Sequence, residues 1–230
     1  MIYAAIAAGG TGIRMGADKP KQFLKLGDKP ILIRTIEAFY GFVDEVYIGI
    51  LPEWKEYAET CIADCGLINK IKVRVVNGAD NRSATLLNVI RQIEAAHGIN
   101  EDDIVLTHDA VRPFINKRII SENIKLCEKY GAAGTFVSSV DTVGVSKDGK
   151  ILDSILERKL MYNVQTPQTV NLALIKKLLE KEFENLERFT DICGLLRENG
   201  VDVAMVKGER VNIKITSPAD MVFAESILRE

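Results

Sequence analysis

From Ile2 to Ser138, short apolar runs alternate with amphipathic stretches, and this alternation constrains the fold more than any other property of the chain. Ile2–Ala8, Val46–Leu51, Ile71–Val76, Ile104–Thr107 and Ala132–Ser138 read as buried strands. Between them, Pro30–Tyr40, Glu53–Cys65, Ser83–Ala96 and Lys117–Lys129 read as helices, the first opening on a proline, where a missing N–H costs little. Strand and helix in repeated turn predict an α/β fold, three layers deep and Rossmann-like, with a mostly parallel sheet covered on both faces. Ligands of such sheets bind beyond the carboxyl ends of the strands. The loops after Ala8, Val76 and Thr107 are therefore where chemistry is sought.

The rhythm breaks over residues 140–165. Val143–Ser146 and Ile151–Ile155 flank Lys147-Asp148-Gly149-Lys150, the pattern of a hairpin with an Asp-Gly turn. Such a hairpin is expected to protrude as a β-arm and to serve in dimerisation, the alternative being a local β-excursion on the same domain. Helices at Leu172–Phe183 and Asp191–Glu198, strands at Val203–Val206 and Asn212–Ile215, and a helix at Pro218–Leu228 complete the expectation. No linker or repeat interrupts the chain, so residues 1–230 read as a single domain.

Composition narrows the partners. Lysine plus arginine number 30 and aspartate plus glutamate 32, a net charge of -2, and a chain without basic excess is a poor candidate for a nucleic-acid partner. The first apolar run stops at Gly9 without a basic leader, and no run reaches the roughly 20 apolar residues of a membrane span. Cys61, Cys65, Cys127 and Cys193 have no neighbouring histidine in sequence and read as reduced thiols. A cytoplasmic location is expected.

Three loops carry chemistry-bearing residues. In Ala7-Ala8-Gly9-Gly10-Thr11-Gly12-Ile13-Arg14-Met15-Gly16, glycines let the backbone approach a phosphate, although the spacing is neither that of a Walker A loop nor Gly-x-Gly-x-x-Gly. Arg14 and Lys21 just beyond can flank a triphosphate and stabilise charge that grows during phosphoryl-type transfer. The second loop, Asn77–Thr85, runs into a helix that Ser83 or a neighbour caps. The third, Thr107-His108-Asp109-Ala110-Val111-Arg112-Pro113, places an aspartate at a strand end, where it can bind a metal or a sugar hydroxyl, and Arg112 can pair with it or with phosphate. No nucleophile accompanies His108, which reads as a structural histidine beside the site. Lys214 interrupts the apolar run Asn212–Ile215.

The set, taken in order, resembles a known family. Ala8-Gly9-Gly10-Thr11-Gly12-Ile13-Arg14-Met15, Pro20-Lys21-Gln22-Phe23, His108-Asp109-Ala110-Val111-Arg112-Pro113, Thr166-Pro167-Gln168 and Asn212-Ile213-Lys214-Ile215-Thr216 look like the cytidylyltransferases that act on small polyol phosphates. The resemblance spans essentially the whole chain and implies transfer of a cytidylyl group from CTP, with Mg2+, to a polyol phosphate, releasing pyrophosphate. It implies that Arg14 and Lys21 stabilise the transition state and that Arg158 and Lys214 position the acceptor phosphate. Ala7, Ala8, Gly9 and Gly10 would bind the nucleotide, together with Gly78, Arg82, Ser83, Thr85 and Ala110. Asp109, as the metal ligand, Arg112, Thr142 and Thr190 would lie near the acceptor, and the arm would carry Thr142 and Arg158 to a neighbouring subunit of a homodimer.

Two branches of that family differ in acceptor. Thr107-His108-Asp109 with Val111, Gln165–Thr169 and Asp141-Thr142-Val143 lean toward ribitol 5-phosphate, a precursor of wall and capsule polymers, whereas Ala110 fits 2-C-methyl-D-erythritol 4-phosphate of isoprenoid synthesis. Ribitol 5-phosphate is the expected acceptor. A non-catalytic nucleotide-binding module of the same fold is the competing reading, and a dinucleotide oxidoreductase fails on its glycine spacing.

Overall fold

The structure is a computed structural model that describes residues 1–10, 18–67 and 70–229. In chain order, the first elements are strand β1 (Ile2–Ala7), the short pair β2 (Lys25–Leu26) and β3 (Lys29–Pro30), helix α1 (Ile31–Glu37), β4 (Glu45–Ile50) and α2 (Lys55–Asp64). There follow β5 (Lys72–Asn77), α3 (Arg82–His97), β6 (Ile104–Asp109), α4 (Lys117–Tyr130), β7 (Ala132–Ser138) and the small hairpin β8 (Gly144–Val145) and β9 (Ser154–Ile155). The last are β10 (Tyr162–Asn171), α5 (Leu172–Lys181), α6 (Ile192–Glu198), β11 (Ala204–Lys207) and α7 (Pro218–Arg229).

Among the described residues, seven strands form one sheet in the order β11-β7-β10-β6-β1-β4-β5. All neighbours are parallel except at β10, which runs antiparallel to both β6 and β7. Period-two side chains feed two separate cores. Ala4 and Ile6 of β1, Val46 and Ile48 of β4, and Leu106 of β6 pack with Ile36, Ile62 and Ile120 from one helical layer. The intervening Tyr3, Ala5, Tyr47 and Val105 pack with Leu86, Ile90, Ile175 and Leu195 from the other. This is the sandwich that the alternation predicts. Gly49 admits α3 against the sheet, because a Cβ there would stand 2.4 Å from Thr85 Cγ2. No described helix is long and apolar enough to cross a membrane.

Two elements differ from the sequence expectation. Gln165–Thr169, to which the sequence pattern assigns no element, belongs to the ten-residue strand β10. Its apolar period is hidden because Gln165, Thr166, Gln168 and Thr169 are buried as hydrogen-bonding residues: Thr107 Oγ1 donates to the Gln168 carbonyl (3.0 Å), Thr135 Oγ1 to that of Pro167 (2.8 Å), and Thr169 Oγ1 to Asn123 Oδ1 (3.3 Å). The ladder skips a register between Gln165 and Gln168, where Pro167 has no N–H to give. Conversely, Asn212–Ile215 is not a strand. Its alternation is real, since Ile215 is buried beside Leu26, Ile31 and Val111, but its N–H groups go to nearby turns and to the Val111 carbonyl (3.0 Å) rather than to a ladder. The hairpin exists with shorter strands than expected, pairing Gly144 with Ile155 and Val145 with Ser154.

Candidate active site

The parallel register of β1 between β4 and β6 sets Ala7 level with Gly49 and Asp109, so the carboxyl end of β1 faces that of β6. The Ala8 N–H donates to the Gly49 carbonyl (2.8 Å) and the Ala110 N–H to that of Ala7 (3.2 Å), which locks the two chain exits side by side. A cleft of about 300 Å³ opens there. Ala7, Ala8, Gly9, Gly10, Lys21, Arg82, Thr85, Asp109, Ala110 and Lys214 line it, all singled out from the sequence.

Lys21 reaches the cleft because its neighbours are anchored. It opens a single helical turn, Lys21–Phe23. Buried Gln22 donates from Nε2 to the Ala8 carbonyl (2.6 Å), and buried Phe23 packs on Trp54 and Tyr57 at ring separations of 5.6 and 4.8 Å. The second loop is stapled to α3. Asn81, rather than Ser83, caps the helix by accepting the Ala84 N–H (2.8 Å), and Thr85 Oγ1 accepts from the Ala79 N–H (3.0 Å). Gln22, Ala79, Asp80, Asn81 and Val111 also line the cleft. Their positions within the recognised loops were the available signal, but nothing in their side-chain types marked them.

Asp109 sits at the centre of the charge. Arg82 Nε lies 3.3 Å from its Oδ1, and Arg112 Nε (3.1 Å) and Lys214 Nζ (3.2 Å) meet at its Oδ2. Burial pushes its carboxyl up, but Arg82, Lys214 and Arg112 outweigh burial and hold it well below the usual carboxylate range. Arg82 Nη1 and Nη2 are buried without a hydrogen-bond partner among the described residues. His108 is fully buried between Thr166 Oγ1 at Nδ1 (2.9 Å) and the Arg112 carbonyl at Nε2 (3.1 Å), and burial pushes it down to about 4. A neutral imidazole with both nitrogens engaged braces the loop, in keeping with the structural reading.

Several expected site residues stand elsewhere. Ser83 is buried and donates to the Phe189 carbonyl (3.3 Å). Gly78 is pressed on the backbone of Ile50, where a Cβ would meet carbonyl atoms at 3.1 Å, so its role in this structure is close approach. Arg112 lies behind Asp109 instead of lining the cleft. Thr190 is exposed and does not line the cleft. Thr142 and Arg158 lie on the exposed 139–164 segment, outside the cleft. Arg14 lies outside the described residues. Among the described residues no group of three His, Cys, Asp or Glu side chains could hold a metal, and the four cysteines are unpaired.

The family model described as 2-C-methyl-D-erythritol 4-phosphate cytidylyltransferase, IspD, matches residues 2–230. Among solved structures, 4-diphosphocytidyl-2C-methyl-D-erythritol synthase from Anaerococcus prevotii is similar at 28% identity, over 100% of this chain and 96% of that one, with a TM-score of 0.83. The 2-C-methyl-D-erythritol 4-phosphate cytidylyltransferase of Francisella tularensis is similar at 27% identity, over 98% of both chains, with a TM-score of 0.81. That of Thermus thermophilus shares the fold at 24% identity over 100% of both chains, with a TM-score of 0.78.

Proposed function

The chain belongs to the 2-C-methyl-D-erythritol 4-phosphate cytidylyltransferase (IspD) family and is a CTP-dependent cytidylyltransferase of a polyol phosphate; from that premise we propose that its acceptor is 2-C-methyl-D-erythritol 4-phosphate. The support is the family description together with two relatives above one quarter identity, both named for that chemistry. This takes the place of ribitol 5-phosphate, toward which Thr107, Val111, Gln165–Thr169 and Asp141-Thr142-Val143 lean; those short motifs are weaker guides than a match over the whole chain.

The observation that carries the site reading is the convergence of the Ala7–Gly10 turn, Lys21, Asp109 and Lys214 on one cleft. CTP enters along Ala7–Gly10 and the start of α3, where backbone N–H groups and the helix terminus favour phosphate. An ionised oxygen of the acceptor phosphate attacks the α-phosphorus in line. The new P–O bond forms as the bond to the bridging α–β oxygen breaks, and pyrophosphate leaves with the electron pair. No proton need move, so the protein's work is positioning and charge stabilisation. Lys21, with Arg14, offsets charge growing on the α-phosphoryl group, and Lys214 holds the acceptor phosphate.

Among the described residues two carboxylates, Asp80 and Asp109, line the cleft, a donor set that would suit a Mg2+ ion bound together with the triphosphate. Asp109 would be its protein ligand, and the ion would neutralise phosphate charge. The 139–164 segment exposes Ile151, Leu152, Ile155 and Leu160 at 59–70%, an apolar surface suited to a second copy of the chain, whose cleft Thr142 and Arg158 would then complete.

Pyrophosphate release from CTP and Mg2+ with each acceptor tests the reading. The expected kcat/KM for 2-C-methyl-D-erythritol 4-phosphate exceeds that for ribitol 5-phosphate by about 100-fold or more, the scale on which a site that hydrogen-bonds hydroxyls rejects a mismatched substrate. The reverse preference would restore ribitol phosphate, and CTP binding without release from either would favour a non-catalytic module.

A further inference from the structure

The segment that carries Lys214 has no ladder to hold it, yet its ammonium has to meet one oxygen of Asp109. A lysine on a four-carbon stem is a flexible point charge, so its position depends on how firmly its backbone is held. The Ile215 N–H holds one end of the segment to Val111 (3.0 Å), and the Gly208 N–H holds the other to Phe136 (2.7 Å). Between these ends the only side chain of the segment that is fully buried and hydrogen-bonded to β10 is Asn212, among the described residues. Its Nδ2 donates to the Thr166 carbonyl (2.9 Å) and to Gln165 Oε1 (3.3 Å), while its own carbonyl accepts from Arg112 Nη1 (2.8 Å). Gln165 is itself fixed, donating from Nε2 to the Glu209 carbonyl (2.8 Å). Among the described residues Asn212 Oδ1 is buried and unpartnered, so the amide sits there at a cost, for its donors.

We infer that Asn212 is a positioning residue for the transfer reaction, tying to β10 the segment that brings Lys214 and Arg112 onto Asp109. The inference rests on the proposed role of Lys214 at the acceptor phosphate. Asn212→Asp keeps the shape but sets a carboxylate oxygen against the Thr166 carbonyl. In the folded protein it should raise KM for the acceptor about tenfold, leave KM for CTP within about twofold, and change kcat less than KM. Lys214→Ala should raise the acceptor KM further, and adding Asn212→Asp to it should cause almost no additional rise, because the two act through one contact. If Asn212→Asp does not fold, Gln165→Glu, which removes the donor to Glu209, should show the same split. An unchanged acceptor KM in Asn212→Asp or Gln165→Glu beside a raised one in Lys214→Ala overturns the inference alone, as does full additivity in the double variant. An unchanged acceptor KM in Lys214→Ala overturns the site reading, and the inference with it.

Discussion

Two carboxylates in this molecule are each gripped by three basic side chains, at opposite ends of the same sheet, and Asp109 borders the candidate cleft. Glu45 opens β4 and meets Lys72, Arg74 Nε (2.9 Å) and His97 Nε2 (3.2 Å). Asp109 closes β6 and meets Arg82, Arg112 and Lys214. Helix α3 links the two, with Arg82 at its first residue and His97 at its last, about 22 Å apart at 1.5 Å per residue.

The partners differ in origin. Those of Glu45 lie on the adjacent strand, level with it or two residues on, and on the end of a packed helix, so regular structure alone assembles the cluster. Lys72 and Arg74 remain about half exposed and lean on bulk solvent. The partners of Asp109 come from a helix start, a loop and a segment outside any ladder; Asn212 ties that segment to β10, and Thr166 Oγ1 accepts from the N–H of Asp109 itself. Among the described residues, buried side-chain atoms without a hydrogen-bond partner occur at both ends: two on Arg82 and one on Asn212 beside the Asp109 cluster, and His97 Nε2 in the Glu45 cluster. A cluster that serves stability can be assembled by regular structure, whereas one that serves chemistry at strand ends needs separate supports.

Breaking each end in turn sharpens the contrast. The largest effect belongs to Lys21→Ala, which should lower kcat by about 100-fold or more while changing stability by less than about 0.5 kcal/mol, as turnover and urea unfolding would report. Mixed with Arg158→Ala, it should regain about a quarter of native activity if the arm completes the partner's site, since half the dimers are mixed and each has one intact centre. No recovery from a proven mixed dimer would confine Arg158 to its own subunit.

Glu45→Gln should do the opposite: kcat/KM within about twofold of native, and a loss of about 2 kcal/mol in unfolding free energy at pH 7. Burial pushes Glu45 up, but the hydrogen bonds from Lys72, Arg74 and His97 prevail and bring it down from 4.5 to about 2. The unfolded chain therefore binds the extra proton first, so this stabilisation is complete above about pH 4.5 and is lost as pH falls toward 2. Acid titration of stability in the variant should lack that component, and an identical acid profile would remove Glu45 from the role.

The same division governs what was legible in the sequence. Elements built from apolar periodicity, such as β1, β4, α3 and α4, were readable because burial on one face leaves a period. Strand β10 was not, because four of its buried residues are the polar Gln165, Thr166, Gln168 and Thr169, whose burial is made tolerable by partners far away in sequence. Asn212–Ile215 misled in the opposite sense: its alternation reports Ile215 in a core and Lys214 at Asp109, without any strand partner. The cleft lining was legible where glycines and cations follow strand ends. Gln22 and Asn212 were quoted only as motif members, because their work is to hold backbone.

The most direct test of the central claim, that CTP is handled at the Asp109 end, is amide hydrogen exchange with and without CTP and Mg2+. Slowing should concentrate at residues 7–10, 79–85 and 109–112, beyond the uniform slowing that ligand stabilisation imparts, with no excess at 45–47 or 72–74. Excess protection at the Glu45 end, or uniform slowing alone, would contradict it.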